Sequence, residues 1–308
     1  MNKSESCISI CIGCGCDDNH ACIGGNRIPC SWLRLDRNTG VGVCSECEDI
    51  VLNWDKGDRL QRTTNFRYCT LTGVDGYTSL EELSILSSEF PFVEFGFLYS
   101  PSRQGMPGRY PSLVTLQQML EKLPDHIHVA LHACGQGVSD LLVGESVARE
   151  LGEMVKLRSG RVQLNFNYSR GQINIGELNA FIERFEAPVI IQHNHNNAEC
   201  VTALTAANRS VLFDGSGGRG KSPDRWPRPL SGAYCGYAGG LGPDNLRQQI
   251  PKIQDVAGGL PYWIDMESSL RNEKDWFDAA KARQCLEIVR DFLTLRARES
   301  EAMARSPW

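Results

Sequence analysis

The protein has 308 residues, 41% hydrophobic and 22% charged, with a formal charge of −5, enough chain for one large barrel domain with an appendage or for two ordinary domains. The first 66 residues carry 7 Lys/Arg against 9 Asp/Glu, so neither part has the basic excess of a phosphate-tracking nucleic-acid binder. There is no run of about 18 apolar residues and no basic-then-apolar leader, so a soluble, cytoplasmic protein without membrane contact is expected.

Eight of the 13 cysteines fall in the first 47 residues, five of them within "CIGCGCDDNHACIGGNRIPC". In a reducing compartment, clustered thiols in a loop-rich segment most often hold metal, because ligand bonds can order a chain that has little core. Cys11-x2-Cys14 and Cys44-x2-Cys47 are two chelating pairs 29 residues apart, the arrangement from which tetrahedral thiolate sites are built. Between them lie Cys16, His20, Cys22 and Cys30, which could make a second site of three cysteines and a histidine. Their spacing fits no standard template, and with Cys7 also nearby the ligand pairing stays open. Structural zinc is the expected cofactor, with an iron–sulfur cluster or disulfides as alternatives. Trp32 is the expected packing anchor of this module. The segment resembles the short "CxxCGC…AC…PCxW…CSxC" modules of bacteriophage-type proteins, a resemblance confined to these residues that implies no definite activity. Residues 48–66 read as a polar linker.

From residue 67 to 308 the pattern is α/β. Strands are expected at 67–72, 93–98, 126–132, 161–166, 188–193, 211–214, 233–238 and 261–266, with helices near 78–88, 112–122, 138–155, 174–185, 197–207, 243–254 and 274–295. The Gly/Pro-rich stretch 215–232 leaves the sixth unit without a helix. Eight units over about 240 residues predict a (β/α)8 TIM barrel, whose active site lies at the C-terminal ends of the strands.

Those ends are chemically distinctive. "LFDGSGGRGKSPDRW" ends a strand on Asp214 and supplies Gly217, Gly218 and Gly220; "YAGGLGPDN" supplies Gly239 and Gly240; "IDMESSLR" supplies Ser268 and Ser269. Glycines let backbone N–H groups approach an anion, and barrels of this kind hold a phosphate between the last strand-end loops. A phosphorylated small molecule is therefore the expected ligand.

These motifs make the barrel resemble phosphoribosylanthranilate isomerase. "FGFLYSPSRQGMPGRYPS" stands for GFxFxxxSPRYxS, "VQLN" for VQLHG, "FDGSGGRGKSPDRW" for LDxxxGGTGKxFDW, "AGGLGPDNL" for AGGLxPENV and "IDMESSLR…KD" for VDVSSGVE…KD. The resemblance implies an Amadori rearrangement of a phosphoribosylamine that needs no cofactor. It implies Asp214 as the acid, Arg109 as the clamp on a substrate carboxylate, and Gln163 as a positioning group. Asn165 replaces the family histidine. Thr72 occupies the place of the family's cysteine base, and a threonine hydroxyl is too weak a base unless another group activates it. Asp75, His132 and His193 are the candidate substitutes, and His195 adds a third histidine to the rim. The lost cysteine implies a poor phosphoribosylanthranilate isomerase and an altered substrate. A non-catalytic phosphate-ligand binder, or an adaptor whose cysteine module contacts protein or nucleic acid, are the alternative readings.

Overall fold

The computed structural model describes residues 9–11, 14, 16–23, 28–36, 41–51, 65–171, 173–217 and 219–305. The chain divides into two compact units, Tyr68–Arg290 and one that joins Met1–Arg67 to Asp291–Trp308. No helix among the described residues is long and apolar enough to cross a membrane.

In the smaller unit, β1 (Ile10–Cys11), β2 (Trp32–Asp36) and β3 (Val41–Cys44) form a sheet in the order β1-β3-β2. Trp32 packs across Gly42, where a Cβ would meet the indole ring at 2.6 Å, and its Nε1 donates to Asp18 Oδ1 at 3.0 Å. Around this sheet Cys11, Val43, Cys44 and Cys47 form a buried cluster, with Cys14, Cys16, Cys22, Cys30 and Trp32 packed against it. Sulfur thus stands where a larger domain has hydrocarbon. One buried valine offsets little of the entropy of ordering these loops. A 3-10 turn, Ser45–Ile50, follows β3 and carries Cys47. Cys7 and residues 52–64 of the expected linker lie outside the described residues.

The barrel strands are β4 (Phe66–Thr72), β5 (Val93–Tyr99), β6 (His128–Cys134), β7 (Arg161–Asn165), β8 (Val189–His193), β9 (Arg209–Phe213), β10 (Tyr234–Ala238) and β11 (Tyr262–Met266). They close in chain order, β11 beside β4, as the eight-unit pattern predicts. The helices are α1 (Leu80–Glu89), α2 (Leu113–Lys122), α3 (Gln136–Val143), α4 (Ser146–Leu157), α5 (Ile175–Arg184), α6 (Ala198–Ala203), α7 (Leu246–Ala257) and α8 (Ala279–Arg305). Local chemistry sets several starts. Ser79, Ser112 and Asn174 each accept a hydrogen bond from the backbone N–H three residues on, filling an otherwise orphaned donor. The single helix expected over 138–155 is two, because Gly144 takes a left-handed conformation and ends α3.

Alternate residues of each strand enter the barrel. Toward the N-terminal ends of the strands the interior is closed by a buried ion pair. Arg161 Nη2 and Nε contact Glu94 Oε1 and Oε2 at 2.6 and 2.8 Å, and Thr70 Oγ1 donates to Glu94 Oε1 at 2.8 Å. The guanidinium lies 4.6 Å from the Trp263 ring centre and 4.9 Å from that of Tyr68. Glu94 takes two of the guanidinium nitrogens and the two rings cover its faces, which offsets the cost of burial, while Nη1 makes no hydrogen bond among the described residues. Nearer the open end, Gly96 admits its neighbour: a Cβ there would lie 2.4 Å from Thr72 Oγ1.

Candidate active site

The C-terminal strand ends surround a cavity of about 850 Å³. Into it project His132, Gln163, Asn165, Gln192, Asp214 and Asp265 from the strand ends, and Ser216, Gly217, Gly220, Gly239, Gly240, Ser268 and Ser269 from the loops. Residues predicted from five separate motifs therefore share one chamber.

Asp214 follows β9 and is 5% exposed. Its Oδ1 accepts from Ser216 Oγ at 2.7 Å and from Ser216 N at 3.2 Å, and its Oδ2 accepts from Gln192 Nε2 at 2.8 Å. Every one of these contacts treats Asp214 as an acceptor, and together they fix the carboxylate plane.

Thr72 does not line the cavity; it is 1% exposed, and its Oγ1 donates to Asp265 Oδ1 at 2.9 Å. Asp265 itself does line the cavity. Burial pushes its carboxyl well above the usual range, against the opposing pull of the Thr72 hydrogen bond. The sequence reading overlooked Asp265, although a carboxylate in the otherwise apolar run "PYWIDM" was a usable signal. It overlooked Gln192 and Ser216 as well.

His132 enters from β6, 2% exposed. Gln163 Nε2 lies 3.2 Å from its Nδ1 and also donates to Asn165 Oδ1 at 3.0 Å, while the ring's Nε2 makes no hydrogen bond among the described residues. That nitrogen stands 3.9 Å from Asp265 Oδ2. Burial lowers the imidazole pKa to about 4. A buried ring held toward the neutral form, with Nδ1 engaged by Gln163, makes His132 a polar wall of the site. Asn165 passes its amide on to Cys134 Sγ at 3.6 Å.

His193 is outside the chamber. It follows Gln192 on β8, and the two-residue period that turns Gln192 inward turns His193 outward. Its ring sits edge-on to Phe213 at 5.2 Å, beside His195 and Trp226 in a separate groove of about 270 Å³. The expectation of a catalytic His193 is corrected on this ground. Asp75 is likewise structural: it is fully buried, pairs with Arg271 Nη2 at 2.8 Å and accepts from Phe277 N at 2.6 Å.

Arg109 lines the cavity, but Glu267 Oε1 lies 2.6 Å from its Nη1 and Asp275 Oδ1 2.7 Å from its Nη2. Both edges of the expected clamp are spent on the protein's own carboxylates. A substrate carboxylate would have to displace one of them.

The glycine loops do converge. A Cβ on Gly240, whose φ is +60°, would meet Ser222 N at 2.7 Å and Gly220 O at 2.8 Å, so the loops after β9 and β10 touch at a point where only glycine fits. Among the described residues the N–H groups of Gly239, Gly240 and Leu241 have no backbone acceptor. Ser268 borders Gly220, whereas the Ser269 hydroxyl is spent on Leu241 O. Gly218 lies outside the described residues.

In the smaller unit, the Sγ atoms of Cys11, Cys14, Cys44 and Cys47 lie within 4.8 Å of one another, and those of Cys14, Cys16, Cys22 and Cys44 do so as well. His20 is not among them. Its Nδ1 lies 3.0 Å from Asp17 Oδ1 on the surface, which corrects the expected histidine ligand. Cys30 Sγ is 3.5 Å from Cys16 Sγ but belongs to neither group. Thiolates bound at about 2.3 Å around a tetrahedral ion sit about 3.8 Å apart. The Cys14–Cys44, Cys14–Cys22 and Cys22–Cys44 separations are 3.6, 3.7 and 3.7 Å, so these thiols fit such an ion.

No protein-family model matches the sequence, and no curated protein matches it. Among solved structures the chain is similar to the phosphoribosyl anthranilate isomerase of Thermus thermophilus, at 19% identity over 73% of this chain and 99% of that one, with a TM-score of 0.50. It is also similar to TrpF from Jonesia denitrificans (17% identity, 72% and 96% covered, TM-score 0.49) and to the Thermotoga maritima phosphoribosyl anthranilate isomerase (18%, 72% and 99%, 0.46). At such identity the likeness is one of fold: the barrel has the architecture of phosphoribosylanthranilate isomerase.

Proposed function

We propose that the barrel binds a phosphorylated small molecule and isomerises a phosphoribosylamine, or a similar phosphosugar, by an Amadori rearrangement. The observation that carries this reading is the presence of two carboxyl groups, Asp214 and Asp265, in the same chamber as the glycine cradle. A division of labour between carboxyls in unlike surroundings is what acid–base catalysis requires. Asp265, kept protonated by burial, gives its proton to the furanose ring oxygen as the bond from that oxygen to C1 breaks. The nitrogen lone pair forms the C1–N double bond. Asp214, held by three donors, takes the proton from C2, and the resulting enolamine tautomerises to the 1-amino-2-ketose. One proton enters and one leaves, so no co-reactant is needed. The motif by itself assigns Asp214 as donor; its surroundings favour the acceptor role.

The phosphate is assigned to the loops carrying Gly217, Gly220, Gly239, Gly240 and Ser268, where backbone donors collect. The thiol module is assigned structural zinc, held by thiolates in place of a hydrophobic core. The test of the barrel reading combines ribose 5-phosphate, which should raise the melting temperature, with turnover of a panel of phosphoribosylamines followed by loss of a deuterium label from C2. Turnover that survives replacement of both Asp214 and Asp265 by Asn would overturn the mechanism. Failure of both the shift and turnover would overturn the function.

A further inference from the structure

We infer that the thiol module holds two divalent metal ions in a single cluster, in which the thiolates of Cys14 and Cys44 each bond to both ions. The inference rests on the metal-site reading of the module and adds its ligand map. The two groups of four mutually close thiols are not separate sets: Cys14 and Cys44 belong to both. Cys11 and Cys47 complete the first tetrahedron, and Cys16 and Cys22 complete the second. The shared pair, 3.6 Å apart, is then the common edge of two tetrahedra, and Cys22 stands at 3.7 Å from both of its ends. A thiolate sulfur keeps lone pairs after binding one ion, so it can bind a second.

Charge favours sharing. Two dications with six thiolates carry a net charge of −2, whereas two independent four-thiolate sites carry −4. Cys11, Cys44 and Cys47 are buried, and each uncompensated charge taken out of water is expensive. The spacing also speaks against an iron–sulfur cluster, where inorganic sulfide separates cysteines that bind different irons, so their Sγ atoms would not share one tetrahedral edge. Cys30, in neither group, and His20, paired with Asp17, are left out of the coordination.

The experiment uses the full-length protein, purified reduced with zinc and then exchanged with 113Cd. Elemental analysis should give two metal ions per chain, and the 113Cd spectrum should show two resonances split by mutual 113Cd–113Cd coupling, which requires a bridging sulfur. His20→Ala and Cys30→Ser should each keep both ions, while Cys14→Ser should disturb both resonances. Two uncoupled resonances, a single ion, or loss of one ion in Cys30→Ser would overturn the shared cluster while leaving a metal site standing. A metal-free protein with the module folded would overturn both readings.

Discussion

The hydroxyl of Thr72 donates a 2.9 Å hydrogen bond to Oδ1 of Asp265, joining the first and last strands of the barrel at its open end. This pair turns an apparent gap in the site into a different arrangement. The residue in the family's base position serves a buried carboxyl, and that carboxyl faces the cavity. Replacing Asp265 by Asn should lower turnover by a factor of about 10²–10⁴, measured on whichever phosphoribosylamine reacts. Thr72→Cys should not raise activity, because its side chain meets Asp265 and does not line the chamber. A gain of activity in that variant would show that the side chain reaches substrate.

Asp265 also makes the stability of the fold depend on pH. Its folded pKa is raised, so the native state holds a proton that the unfolded chain releases above about pH 3.9. The stability tied to that proton is present at lower pH and declines as pH rises toward the folded value. Asp265→Asn should therefore raise the melting temperature at neutral pH while reducing turnover. If both fall together, the residue is structural.

His132 has the opposite dependence. Its folded pKa is about 4 against an unfolded value of about 6.5, so the unfolded chain binds the extra proton between them. Stability is complete above pH 6.5 and falls by about 3 kcal/mol as pH drops to 4. Urea midpoints across this window should decline less in His132→Gln than in the unaltered protein; equal slopes would show that the ring is not held neutral.

The cradle can be tested by substitution. Gly240→Glu places charge and bulk where a Cβ already meets Ser222 N at 2.7 Å. It should abolish the stabilisation by ribose 5-phosphate, and Ser268→Asp, which adds charge without straining a positive-φ residue, should do the same. If neither alters the shift, phosphate binds elsewhere.

The Arg161–Glu94 pair should matter to stability and not to substrate. Glu94→Ala leaves a buried guanidinium without its counter-ion and should cost about 3–5 kcal/mol in denaturant unfolding. Changing Arg161 to Met in the same chain should recover part of that loss.

What the sequence by itself determined was local. Apolar strands bounded by glycine and serine, and helices opened by Ser79, Ser112 and Asn174, come from interactions between residues a few positions apart, so the eight-unit pattern was readable in order. Asp214 was legible because it ends a strand just before a glycine run. Tertiary structure decided the rest. Asp265 meets Thr72 across 193 residues, a contact that exists only when β11 closes on β4. On "VIIQH" both faces of the strand are covered, so no apolar–polar alternation reveals its register, and closure alone chose Gln192 for the chamber and His193 for the outside. In the cysteine module, spacing named the thiols. Which of them stand close enough to share an ion depends on loops that bring Cys14 and Cys44 within 3.6 Å across thirty residues, a distance that no sequence spacing contains.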